Sequence, residues 1–89
     1  MATSLTDEVL QDKIAVSLAR VMARANKHAR ELGTDIVQSL ITITQIPADG
    51  GLLWRINYGP KEYIGRRGGD LIIEVDANGT TIKRVLRGQ

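Results

Sequence analysis

The segment "LIIEVDANGTTIKRVL" (residues 71–86) decides the fold, because it encodes a complete β-hairpin by itself. Leu71, Ile73 and Val75 recur at every second position, which is the period of a strand with one buried face. The next four residues, "DANG", end in an Asn-Gly pair, which tolerates the positive φ angles of tight turns. The run that follows is again rich in β-forming residues. We therefore predict antiparallel strands over 71–75 and 80–86.

Two further strands are predicted upstream of this hairpin. The stretch "DIVQSLITITQI" (35–46) is rich in β-branched residues, and "LLWRINY" (52–58) alternates in the same way. Turn-forming residues, "PADGG", separate the two stretches. On the first of these strands one face carries Val37, Ser39, Ile41 and Ile43. The four strands in chain order predict an antiparallel meander.

The N-terminal third predicts one long helix. From Ser4 to Leu32 there is no Gly or Pro, and Gly33 follows at the position that favours a left-handed residue after a helix. An apolar stripe with helical spacing runs along this segment: Leu10, Ile14, Leu18, Val21, Ala25, Ala29 and Leu32. We expect it to face the core. The predicted fold class is α+β, a single domain over residues 1–89 in which the helix (4–32) packs across one face of the four-stranded sheet.

Composition excludes several classes of function. The chain has 89 residues, no cysteine and one histidine, His28, so thiolate chemistry, disulfides and a multi-histidine metal site are excluded. No Walker or dinucleotide motif is present, and we expect neither a cofactor nor a metal. No apolar run approaches the roughly 20 residues that cross a bilayer, and the first residues are acidic, unlike a secretory signal. We expect no membrane association and a cytoplasmic location.

Basic residues form a ridge on the predicted helix, away from the apolar stripe: Lys13, Arg20, Arg24 and Lys27. Lys and Arg are usually exposed, so a solvated face is the simplest interpretation. The alternative is a surface that binds nucleic acid without sequence preference. A net charge of +2 permits this alternative but does not require it.

The loop "GPKEYIGRRGGD" (59–70) is the second candidate binding segment. Its glycines allow close approach of backbone N–H groups to a ligand, Arg66 and Arg67 can bind phosphate or carboxylate, and Tyr63 can stack on a base. A structural connection with solvated arginines is the simplest interpretation. A protein partner and a nucleic acid are the alternatives, and the sequence leaves them open.

No set of residues predicts catalysis. His28 lies among charged residues near the end of the helix, where it can stabilise the helix C-terminus. Asp70, Glu74 and Asp76 are expected on the solvent face of a strand, opposite its apolar positions. An acid–base pair of carboxylates needs burial to separate the two pKa values, and the sequence does not predict such burial. We therefore predict that the chain is not an enzyme.

The order of elements resembles the cystatin-like architecture, and the tail "GGDLIIEVDANGTTIKRVLRG" (68–88) resembles the closing hairpin of PepSY-type and related small immunity or inhibitor domains. In such domains a Trp-containing strand like "LLWRINY" precedes the hairpin. The chain lacks the Gln-x-Val-x-Gly loop of protease-inhibiting cystatins. The resemblance implies a non-catalytic module that binds or inhibits a protein, and it transfers no site residue.

The relative lengths of helix and strands predict self-association. A helix over 4–32 is roughly 43 Å long and an eight-residue strand roughly 27 Å, so the helix should extend beyond the sheet at its N-terminal end. Leu5, Val9 and Val16 lie on a second apolar strip there. We expect a homodimer through these residues, either helix against helix or extension against the partner's sheet, because symmetric pairing is the commonest way to cover such a surface. The alternative is that residues 1–8 fray or fold back and that Val9 and Val16 are isolated surface hydrophobes.

Overall fold

The computed structural model describes residues 4–61 and 69–88, and it confirms the α+β class. Two helices precede four strands: α1 (Leu5–Gln11), α2 (Lys13–Glu31), β1 (Ser39–Ala48), β2 (Gly51–Pro60), β3 (Leu71–Asp76) and β4 (Ile82–Arg87). The strands form one antiparallel sheet in the order β1-β2-β3-β4. In the part of the chain that the structure describes, neither helix has the length and apolar character needed to cross a membrane.

The core lies between α2 and the middle of the sheet. In the pairing of β2 with β3, Ile56 lies opposite Ile73 and Tyr58 opposite Leu71. Residues directly opposite in an antiparallel pair point to the same face, so these four side chains share the face covered by α2. The buried core consists of Val21, Ala25, Ala29, Ile56, Tyr58, Leu71, Ile73 and Val75, and the partly buried Trp54 packs against it.

Three contacts fix α2 on the sheet. Tyr58 Oη donates a hydrogen bond of 2.6 Å to Asn26 Oδ1. At the C-terminal end of α2, Arg87 Nη2 donates to the carbonyl of Leu32 at 3.0 Å. At the other end of the sheet, the turn between β3 and β4 approaches so closely that a Cβ on Gly79 would lie 2.8 Å from the Cβ of Arg20. The sheet therefore supports α2 only from about Arg20 to its C-terminus.

The predicted single helix over 4–32 is wrong in one respect, because it is interrupted at Asp12. This residue has extended backbone angles (φ −102°, ψ 111°), and its Oδ1 accepts hydrogen bonds from the backbone N–H groups of Ile14 and Ala15. Asp12 thus acts as the N-cap of α2, a role in which Asp is among the preferred residues. Ser4 caps α1, and Gly33 follows the end of α2 with a φ of 87°.

Strand boundaries also differ from the prediction. β1 begins at Ser39 and not at residue 35, because Ser39 Oγ donates to the carbonyl of Asp35 and closes a turn before the strand. β4 begins at Ile82 and not at residue 80, because the Asp76 carboxylate accepts hydrogen bonds from Thr80 and Thr81 and holds both in the turn. Side-chain hydrogen bonds to the backbone thus shorten both strands.

The apolar stripe of the helices is only partly buried, which corrects the prediction that all of it faces the core. Val21, Ala25 and Ala29 are buried, whereas Leu10 is 68% exposed and Ile14 is 70% exposed. Leu18 is half-buried, and Leu32 is exposed at the C-terminal cap of α2. The N-terminal part of the stripe lies beyond the end of β3 and β4 and so has no sheet beneath it.

Candidate functional site

The inner face of β1 is an apolar surface that α2 leaves uncovered. Ile41 lies opposite Tyr58 and Ile43 opposite Ile56, so both isoleucines point to the same side of the sheet as the core. They nevertheless remain 38% and 39% exposed. The reason is the position of α2, which packs mainly on β3 and makes a smaller contact with β2. β1 is an edge strand of the sheet, and no described helix covers its inner face.

The exposed start of α2 carries a second uncovered apolar surface. Ile14 is seven residues before the buried Val21, and at about 100° per residue the two side chains differ in direction by only about 20°. Ile14 therefore points toward the sheet side of the helix but lies about 10.5 Å beyond Val21 along the axis. We name the combination of Leu10, Ile14, Ile41 and Ile43 the open inner face.

The whole chain exposes more surface than its size predicts. Its accessible surface is 6469 Å², whereas a compact monomer of 9.7 kDa exposes about 5,100 Å². Its Cα radius of gyration is 14.6 Å, against about 12 Å for a compact domain of this length. The helix α1 contributes to both differences, since it packs on α2 and buries none of its own residues.

The residues predicted for a dimer interface lie at this same N-terminal end. Leu5 is 75% exposed in α1 and Val9 is also exposed, whereas Val16 in α2 is half-buried. The extension of the helical segment beyond the sheet is therefore confirmed. The sequence prediction missed Leu10 and Ile14 as exposed positions because it assigned them to the core.

The predicted basic ridge forms one wall of a groove. Arg20, Arg24 and Lys27 line an open groove of about 560 Å³, bordered on its other side by Asn78, Gly79 and Thr80 of the turn between β3 and β4. Within the described residues, none of these three basic side chains forms a salt bridge. Lys13, the fourth predicted member, is at the start of α2 and does not line the groove.

The other predicted binding residues lie outside the described residues. Tyr63, Arg66 and Arg67 belong to the segment 62–68, so the candidate binding loop remains a prediction. The flanking Asp70 accepts a backbone hydrogen bond of 2.7 Å from Gly88 through its carbonyl, which joins the end of the loop to the residue after β4.

Glu74 is buried, contrary to the prediction of a solvent-facing acid. It is 4% exposed, on the sheet face opposite α2. Arg55 donates from Nε and Nη2 to its Oε2 at 2.9 and 2.7 Å, and Arg84 donates from Nε and Nη2 at 3.1 Å each. Burial alone would raise the pKa of Glu74, but the hydrogen bonds and charges of Arg84 and Arg55 together lower it.

Other titratable groups of the sheet also have structural partners. The Thr80 hydroxyl and the backbone N–H groups of Thr81, Thr80 and Gly79 lower the pKa of Asp76 despite its partial desolvation. Burial raises the pKa of Tyr58 to about 12, so its hydroxyl stays protonated as the donor to Asn26. In the described part of the chain, no group of three His, Asp or Glu side chains could hold a metal ion.

Comparisons with protein-family models, curated proteins and solved structures each found no significant match to this chain. The cystatin-like resemblance therefore rests on the sequence pattern and on the order of elements. Sequence reasoning missed the open inner face and the Arg55–Glu74–Arg84 cluster. A signal for the cluster existed, because charged residues at 55, 74 and 84 fall on one face once the strand register is known.

Proposed function

We propose that this chain is a non-catalytic module of the cystatin-like type that binds, and in doing so can inhibit, another protein chain. The open inner face carries the proposal. Two apolar surfaces, one on a helix and one on a sheet, are left without cover in a domain whose core is already small. Large exposed apolar patches of this kind mark sites of protein interaction.

The chemistry of the buried polar groups supports a non-catalytic role. Glu74 and Tyr58, the most buried ionisable side chains of the sheet, each bond to another side chain. His28 is paired with Glu31 at 3.4 Å on the surface of α2, in its last turn, where an imidazole can stabilise the helix C-terminus. Each of these three side chains therefore has a structural partner.

Site-specific photo-crosslinking in the native cell tests the proposal. A photoreactive residue in place of Ile14 should form a covalent adduct with another protein chain, because this position lies in the open inner face. The matched control carries the same residue in place of Lys83, an exposed position on β4 outside this surface. Absence of any adduct at position 14 above the level at position 83 would contradict the proposal.

The basic groove favours a second candidate function, the binding of nucleic acid without sequence preference. Arg20, Arg24 and Lys27 follow one another along one side of α2 and can contact successive phosphates. Neither Trp54 nor Tyr58 lines the groove, so no described aromatic side chain is placed there to stack on bases. Contacts would be confined to the phosphate backbone.

A gel shift at low salt measures this second candidate. With three phosphate contacts, affinity should fall by about 40-fold for a fourfold rise in salt concentration. The double variant Arg24→Glu, Lys27→Glu should abolish the shift, while Lys61→Glu, Lys83→Glu changes the net charge equally outside the groove. Equal loss in both variants would show that only net charge matters, and no shift for the wild type would exclude this function.

A further inference from the structure

We infer that the partner at the open inner face is a second copy of this chain, bound by reciprocal exchange of the N-terminal helical segment. In this dimer, Leu10 and Ile14 of each protomer cover Ile41 and Ile43 of the other. The inference rests on the proposed function in that both use the same surface. It goes further by identifying the occupant and its orientation.

The two uncovered surfaces within one chain complement each other. The apolar side of α2 continues for about two turns beyond the sheet, and the inner face of the sheet continues for one strand beyond α2. A two-fold rotation places the uncovered helical segment of each protomer over the uncovered strand β1 of the other. Closed symmetric pairing of this kind covers both surfaces at once and stops at two chains.

The spacing of the elements fits such a pairing. β1 lies two strands from β3, which is about 9.6 Å at the usual strand spacing of about 4.8 Å. Packed helices lie about 8–10 Å apart. A partner helix antiparallel to α2 and in contact with it would therefore run directly above β1.

The position of Ile43 along its strand also fits this pairing. Ile43 shares a cross-strand row with Ile56 and Ile73, about 7 Å from Val75 along β3. A two-fold axis beside Ala19 places Ile14 of the partner subunit beside residue 24 of this chain, because both positions are five residues from Ala19. Ile14 of the partner subunit then lies above the row of Ile43, Ile56 and Ile73. Ala15 and Ala19 lie on the same flank of α2 as Asn26, which bonds to β2, and their small side chains permit close approach of a second helix.

Three of the basic residues of α2 do not oppose this arrangement. Arg20, Arg24 and Lys27 line the groove beside the turn between β3 and β4, on the flank of α2 away from β1.

Sedimentation equilibrium of the full chain is the first test. We expect the wild type to form a dimer, and Ile14→Glu or Ile43→Glu to raise its dissociation constant by about 100-fold or more, because the symmetric dimer buries the new charge twice. Lys83→Glu is the control and should leave the dissociation constant unchanged. A wild type that stays monomeric at high micromolar concentration overturns the inference.

Disulfide cross-linking then tests the orientation, since the natural sequence contains no cysteine. An equimolar mixture of Ile14→Cys and Ile43→Cys chains should form a covalent dimer at least about 10-fold faster than a mixture of Ile14→Cys and Lys83→Cys, because of the higher effective concentration. Equal rates in the two mixtures overturn the exchange even if a dimer exists.

These outcomes separate the inference from the proposed function. If the photoreactive residue at position 14 captures a different protein while the purified chain is monomeric, the proposed function stands and the inference falls. If the adduct is a second copy of this chain and the thiols at positions 14 and 43 pair preferentially, the inference is supported. If position 14 yields no adduct in the cell, the proposed function fails, whatever the purified chain does.

Discussion

At the scale of single residues, Glu74 stands out as a charged side chain in a buried environment. A carboxylate that is 4% exposed loses most of its hydration, and two arginines replace the lost water with charged hydrogen bonds. Arg55 and Arg84 stay partly exposed, with 38% and 54% of their side chains accessible, so their own desolvation is modest. The cluster therefore joins β2, β3 and β4 on the face opposite α2.

Glu74→Gln should destabilise the fold by about 1–3 kcal/mol at pH 7, because an amide replaces the charged acceptor of both arginines. The pKa of Glu74 is lowered in the folded state, so its contribution is complete above its unfolded pKa near 4.5 and is lost as the pH falls through the folded value. The difference in stability between wild type and variant should thus shrink at pH 3.

Urea unfolding at pH 7 and pH 3 measures both effects. Asp76 also has a lowered pKa and keeps part of the acid sensitivity in both proteins. Glu8→Gln is the control, since Glu8 is exposed in α1 and away from the sheet. A Glu74→Gln protein that loses as much stability on acidification as the wild type would show that the cluster does not link protons to folding.

At the scale of elements, the turn between β3 and β4 determines where α2 meets the sheet. Gly79 has a φ of 75°, and a Cβ there would also lie 2.9 Å from the backbone N of Val21. Backbone atoms cannot move aside as the end of a flexible side chain can. The turn and α2 are therefore in direct backbone contact, and this contact lies at the point where support for the helix ends.

Gly79→Ala should cost more stability than Gly50→Ala, by about 1–3 kcal/mol. Both glycines have a left-handed φ, 75° and 83°, so the conformational cost of alanine is similar at the two positions. Only at Gly79 would the added methyl group meet other atoms, since nothing lies within 4 Å of a Cβ at Gly50. Equal urea midpoints for the two variants would show that the turn can move away from α2.

At the scale of the whole molecule, the chain is extended, measuring 49 by 34 by 21 Å. A chain of this length can form only a small core. Part of its apolar stripe nevertheless lies beyond the end of the sheet and stays exposed. The break at Asp12 adds a second feature, because residues around a helix interruption can absorb a change in direction of α1. The proposed second copy at the open inner face would cover the exposed start of α2 in this extended chain.

Much of the fold follows from local patterns in the sequence. Alternation predicted all four strands, the absence of Gly and Pro predicted the helical region, and Gly33 marked its end. Even the extension of the helix beyond the sheet follows from counting residues, since rise per residue is a fixed property of each element. The strand ends were less predictable, because Asp35 and Asp76 make hydrogen bonds that depend on the turn geometry.

The tertiary structure alone decided which apolar residues are buried and which charges meet. Helical spacing places Ile14 and Val21 on the same side of α2. Val21 is buried and Ile14 is exposed because β3 and β4 end beside Arg20. Likewise, β4 brings Arg84 to Glu74 only through its register with β3. Periodicity in the sequence predicts the direction in which a side chain points. Burial depends on whether another element covers the side chain, and this is set by contacts between residues distant in the chain.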